Sequence, residues 1–110
     1  MEGPSIRSFP RLSLDHPVEL RLGKKTIKVA KPRGNLSAGG LFLLAKGVPE
    51  NAPVKVKISG RPVFEAEGVV RFSEPRRGGC GIEFTAVNAQ NRKRLEGLIA
   101  ALLKKEALCA

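Results

Sequence analysis

From residue 18 to residue 84 the chain keeps returning to one rhythm, apolar and polar residues in strict alternation, broken at short intervals by glycine and proline. Val18, Leu20 and Leu22 stand against Glu19 and Arg21, and Val54, Val56 and Ile58 stand against Lys55 and Lys57. A period of two places alternate side chains on opposite faces of a strand, so each segment buries one face and wets the other. The breaks are too short for the crossovers that parallel strands require, which leaves antiparallel hairpins. The first hairpin joins residues 18–22 to Ile27 and Val29 through Gly23, Lys24 and Lys25. Residues 41–44 supply another apolar strand, and a further turn at Ser59, Gly60, Arg61 and Pro62 leads into residues 63–72. There the alternation puts Phe64, Ala66, Gly68, Val70 and Phe72 on one inward face, and Cys80, Ile82 and Phe84 repeat it. Gly68 within that pattern predicts a bend or bulge of the kind barrel closure uses. The expectation is an all-β domain, a small antiparallel barrel of about six strands, carrying a C-terminal helix.

The helix follows from a change of period. Leu95, Leu98, Ile99, Leu102 and Leu103 recur at helical spacing, with Arg92, Lys93, Lys104 and Lys105 elsewhere on the surface and Asn88 as the cap, which predicts a helix over 88–107. Its apolar stripe is expected to pack on the barrel mouth, a homodimer seam being the alternative use. Residues 1–16 carry Pro4 and Pro10 without periodicity and read as an irregular arm ahead of a barrel domain over 17–110. At 110 residues one core is expected, because two would each be marginal.

Charge narrows the class of partner. Twenty Lys and Arg against ten Asp and Glu give a net charge of +10, so an anionic partner is favoured over an acid-seeking cation, although a solvated basic surface would look the same. The first residues have no apolar signal region and no apolar run is long enough to span a bilayer, which predicts a cytoplasmic protein without membrane insertion. Cys80 falls inside a strand and is expected to be a small core residue, while Cys109, second from the end, does not fit a prenylation signal. The single histidine, His16, precedes Pro17 with no nucleophile or metal-ligand spacing beside it, and Asp15 and Glu19 do not complete a site. No catalytic constellation is found, so an enzyme is not expected, nor a cofactor or metal.

Two short segments carry the chemistry. Arg7 and Arg11 are spaced R-x-x-x-R on the arm, where two guanidiniums present planar forks for phosphate oxygens or a guanine O6/N7 edge. Asn35, Ser37 and Gly40 are spaced N-x-S-x-x-G, with Gly39 preceding the last, placing an amide, a hydroxyl and side-chain-free backbone together at what reads as the turn leaving the second strand. Gly39 and Gly40 leave room for a positive φ or a close approach. Arg33 stands two residues before Asn35, as a secondary candidate for the same site.

In this order and at this separation the two segments resemble the PilZ domain, the bacterial receptor module for cyclic di-GMP. The resemblance runs through nearly the whole chain, including Gly68, Val70 and Phe72, then Gly81, Ile82, Glu83 and Phe84, and the terminal helix. It implies a PilZ-like barrel in which Arg7, Arg11, Asn35, Ser37 and Gly40 hold cyclic di-GMP, with Ile6, Arg33 and Gly39 secondary. Ile6, where some members carry a further arginine, implies one bound ligand rather than a stacked pair. An Asp at position 35 would accept from both guanine N1–H and N2–H, whereas the Asn35 amide has one acceptor. The implied function is a single-domain receptor and adaptor that orders its arm on cyclic di-GMP and signals to a separate effector protein, in motility, adhesion, exopolysaccharide secretion or development. The alternative is a PilZ-like adaptor working by protein contact without the nucleotide. Less favoured is a basic barrel binding RNA or single-stranded DNA, because such barrels need exposed aromatics and this chain has no Trp, no Tyr and five Phe.

Overall fold

A computed structural model describes residues 12–74, 76 and 78–109, without the side chains of residues 108 and 109. Eight strands form one antiparallel sheet: β1 (Leu12–Ser13), β2 (Val18–Leu22), β3 (Lys25–Val29), β4 (Gly34–Ser37), β5 (Gly40–Leu44), β6 (Pro53–Ile58), β7 (Phe64–Glu74) and β8 (Gly79–Ala86). They are ordered β1-β4-β5-β8-β7-β6-β2-β3, and the sheet curls into a half-barrel with β1 and β3 at its edges. The helix α1 (Ala89–Cys109) follows and packs against β1 and β7. Its bounds lie within two residues of the expected ones.

The strand count exceeds the expected six by β1 and β4. Leu12 and Ser13, inside the stretch expected to be irregular, pair with Leu36 and Asn35. β4 pairs in turn with β5, Ser37 lying opposite Gly40 across the two-residue loop Ala38-Gly39. A strand of two residues and one reading Gly-Asn-Leu-Ser show no periodicity of their own. Their ladders exist because β5 and the core already fix where they lie.

The inward face is the core. Leu20, Leu36, Leu43, Ile58, Val70 and Cys80 are fully buried, with Phe64 beneath Phe84 at a ring separation of 5.4 Å. Burial pushes the Cys80 thiol up to about 11, which keeps it neutral and confirms the residue as part of the core. Two register shifts interrupt the β7–β8 ladder, one between Glu67 and Gly68, where the bulge was expected, and one between Val70 and Phe72.

The helix is capped as the sequence indicates. The Asn88 Oδ1 accepts from the Asn91 backbone N–H at 2.8 Å and from the Asn91 amide at 3.0 Å. Asn91 Oδ1 in turn accepts from the Glu65 N–H at 2.8 Å, and Arg94 donates to the Val63 carbonyl at 3.1 Å, so the first turns are tied to the start of β7. Leu95 and Leu102 are buried and Leu98 and Ile99 partly so, but Leu103, expected in the same stripe, is exposed. At the far end Glu106 accepts from the Ser13 N–H at 3.0 Å and Lys105 donates to the Asp15 carboxylate. The Lys105 ammonium holds the Asp15 carboxyl below the usual range, so this clip persists above the ordinary carboxylate pKa and is lost only as pH falls through the lowered value.

Leu20 lies at 0% exposure between β3 and β6, so Leu20→Ala should cost about 2–5 kcal/mol of unfolding free energy, as deletions of large buried side chains do. A denaturant midpoint unchanged from the parent would show that the core does not close there.

Candidate functional site

The second sequence motif is not a loop. Asn35 and Ser37 are alternate residues of β4 and Gly40 opens β5, so the motif is itself a β-hairpin, with only Ala38 and Gly39 in the turn. The difference has a physical reason: Asn, Ser and Gly favour turns in isolation, but here both backbone edges of β4 are occupied by β1 and β5.

Ser37 shapes the turn. Its Oγ donates to the Gly40 carbonyl at 3.3 Å and accepts from the Gly39 N–H at 3.3 Å, and the side chain is buried. Gly40 is required by crowding rather than by φ. A Cβ there would stand 2.1 Å from the Ile82 carbonyl oxygen on β8, and neither Gly39 nor Gly40 has a positive φ. Asn35 sits opposite Phe42 across the β4–β5 ladder and opposite Ser13 across the β1–β4 ladder. Its amide makes no hydrogen bond with any described residue, which leaves both an acceptor and two donors available.

Asn35, Ser37 and Gly40 line one shallow depression on the outer face of the sheet. Its other walls include Phe42 of the same hairpin and, from distant parts of the chain, Arg71, Phe72 and Gly81. Arg71 Nε donates to Glu83 Oε1 at 2.5 Å on the surface, an ion pair worth at most about 1 kcal/mol in that solvated setting. Phe72 was expected in the core. The shift between Val70 and Phe72 breaks the alternation at Arg71, so Phe72 comes out on the opposite face and is 43% exposed.

The depression holds about 30 Å³, close to the volume of one water molecule in the liquid. The described face therefore carries a small surface depression and not an enclosing pocket. Larger hollows lie elsewhere, about 360 Å³ on the outer face of β2, β6 and β7 and about 790 Å³ between α1 and the β6–β7 turn, where His16 lies. Neither contains a motif residue. Arg33 is exposed, and its carbonyl accepts from the Leu44 N–H at 3.0 Å, which extends the ladder and places it on the Asn35 face by register. Ile6, Arg7 and Arg11 lie outside the described residues.

Sequence reasoning found Asn35, Ser37 and Gly40, and the structure brings the three together. It missed Phe42, Arg71 and Phe72. The available signal was the Gly79-x-Gly81 pair inside a strand, since glycine there often marks a place where other groups lie against the backbone.

A curled antiparallel sheet with a C-terminal helix packed against it, and the motif hairpin within that sheet, defines a small barrel-like domain. The family model of the PilZ domain matches residues 5–101, and the chain belongs to that family. No curated protein gives a significant sequence match. Among solved structures, the Bacillus subtilis inhibitor of motility, MotI/DgrA, matches with a TM-score of 0.67 at 23% identity. The match takes in 96% of this chain and 55% of that one, so this chain spans little more than half of its neighbour's length.

Gly40→Ala should lower the unfolding free energy by about 1–3 kcal/mol or more, since the neighbour it meets is backbone. Ser37→Ala should cost about 1 kcal/mol by removing the hydroxyl staple from a buried turn. Denaturant titration of both variants checks this, and a neutral Gly40→Ala would contradict the close β5–β8 approach.

Proposed function

We propose that this PilZ domain is a non-catalytic receptor for cyclic di-GMP, in which Arg7 and Arg11 close over a ligand seated on Asn35, Ser37 and Gly40, and the closed form is read by a separate effector protein. The observation that carries this reading is the convergence of the polar hairpin and the N-terminal chain on one strand. Leu12 pairs with Leu36, between Asn35 and Ser37. Arg11 is bonded to Leu12, so it begins one Cα step, about 3.8 Å, from that point, and Arg7 is at most about 18 Å of extended chain away. Both guanidiniums are within reach of a ligand on the hairpin, which needs a second wall because the depression encloses so little volume.

The chemistry is complementary. Cyclic di-GMP is a dianion, and the forks of Arg7 and Arg11 suit phosphate oxygens and guanine O6/N7 alike. The Asn35 amide, without a hydrogen-bond partner among the described residues, lines the same depression and can accept from a guanine N–H edge. With Ile6 ahead of Arg7, a single ligand is expected. Ligand binding orders the arm and shifts the population toward the partner-competent form. The solubility implied by the charge, and the absence of any helix among the described residues long and apolar enough to cross a membrane, agree with a cytoplasmic site of action.

One observation favours a second reading. Asn35 offers one acceptor where a carboxylate offers more, so the domain could serve as an adaptor by protein contact alone, without the nucleotide.

Calorimetry separates the two. Micromolar binding of cyclic di-GMP that survives excess GTP and linear dinucleotide is the expected result, and no heat at high ligand concentration would leave the nucleotide-free adaptor. Arg7→Ala and Arg11→Ala should each cost about 1.5–3 kcal/mol of binding with little change in thermal stability, and Lys should not rescue either. Asn35→Asp is expected to preserve or tighten binding and Asn35→Ala to weaken it. If Asp weakens binding sharply and Ala is neutral, position 35 faces phosphate or solvent instead of a guanine edge.

A further inference from the structure

The outer face beside the motif hairpin carries two aromatic rings that the core does not use. Phe42 and Phe72 lie on adjacent sides of β8, with ring centroids 6.0 Å apart and planes only 24° from parallel. They tile over glycine: a Cβ on Gly81 would meet the Phe72 ring at 2.2 Å, and one on Gly79 would meet the Phe42 ring at 2.8 Å. The inner sides of both rings are thereby covered by backbone. The outer side of Phe72 is not, since the residue is 43% exposed, one of two exposed large hydrophobic residues among those described. A solvated phenylalanine here is unfavourable, yet the register shift at Arg71 is what turns it outward. Both rings line the depression shared with Asn35, and Phe42 is the direct cross-strand partner of Asn35.

We propose that the Phe42–Phe72 pair is a stacking platform for one guanine base of the bound cyclic dinucleotide, with Asn35 reading that base at its edge. The inference rests on the receptor reading above and adds the apolar half of the base site. A purine offers a flat π face and a polar rim, and this surface supplies a flat apolar floor with one unpaired amide at its border. The division of labour is distinct from that of the arginines. Stacking is tolerant of base identity and insensitive to salt, whereas the guanidinium and amide contacts are directional. The two rings therefore contribute affinity and Asn35 contributes guanine selectivity.

The test uses the full chain and cyclic di-GMP. Phe72→Leu keeps an apolar cover over Gly81 but removes the π face, and Phe72→Tyr keeps both. Stacking on an aromatic side chain is worth about 1–3 kcal/mol per base, so Phe72→Leu should weaken binding by about five- to 150-fold while Phe72→Tyr stays near the parent. In proton NMR, one guanine H8 of the ligand should move upfield on binding the parent through the ring current and lose that shift in Phe72→Leu. Thermal melts establish that each variant is folded. If the parent binds without moving H8 upfield and Phe72→Leu binds as tightly, the platform is overturned and the receptor reading stands. If the parent gives no binding, the receptor reading fails and the platform falls with it. A single-stranded oligonucleotide that binds in a Phe72-dependent way while cyclic di-GMP does not would assign the rings to a strand of nucleic acid and overturn the proposal.

Discussion

Strand β7 and its ladder to β8 govern most of what this domain presents to solvent. β7 is the longest strand, and it holds β6 on one side and β8 on the other. Had its alternation run unbroken, Phe72 would have joined Phe64, Ala66 and Val70 in the core, and Phe42 would have stood on the outer face without a second ring beside it. Two register shifts prevent that. The first, at Gly68, increases the local twist and lets the sheet curl around Ile82. The second inserts Arg71 as an extra residue, which exchanges the faces beyond it and delivers an arginine and a phenylalanine to the hairpin of Asn35 and Ser37. A backbone irregularity of one residue thus assembles a surface from segments more than thirty positions apart.

The barrel itself was legible because burial on one face writes a period of two into the sequence, which β2, β3, β6, β7 and β8 carry, while β5 shows as a short apolar run between glycines. β1 and β4 were not legible. Neither is long enough to show a period, and the Asn35, Ser37 and Gly40 of the motif carry turn propensity that only the flanking strands override. The same limit explains Phe72 and Leu103. Periodicity extrapolates a face along a strand or helix but contains no information on where a bulge resets it or where the sheet stops covering the helix. The motif residues were found because they are local to one another in sequence. Phe42 joins them through the hairpin register, which was missed because β4 was not recognised as a strand, and Arg71 and Phe72 join through long-range register, which single-sequence patterns do not encode.

Polar groups in the domain fall into two populations. Those that set geometry are satisfied internally: Ser37 within its own turn, Asn88 and Asn91 at the start of α1, Arg94 at the Val63 carbonyl. The Asn35 amide is different, since it lies between two paired strands and still has no described partner. Satisfied groups define the frame, and the Asn35 amide keeps its acceptor and donors free of the other described residues.

Strand β1 has one further consequence. It is only two residues long, yet it is held by the β4 ladder, by the burial of Leu12 in the core and by Glu106 on the Ser13 N–H, with Lys105 fastening Asp15 just beyond it. The strand beside the motif and the last turns of the helix are thereby fastened to each other, although more than ninety residues separate them along the sequence.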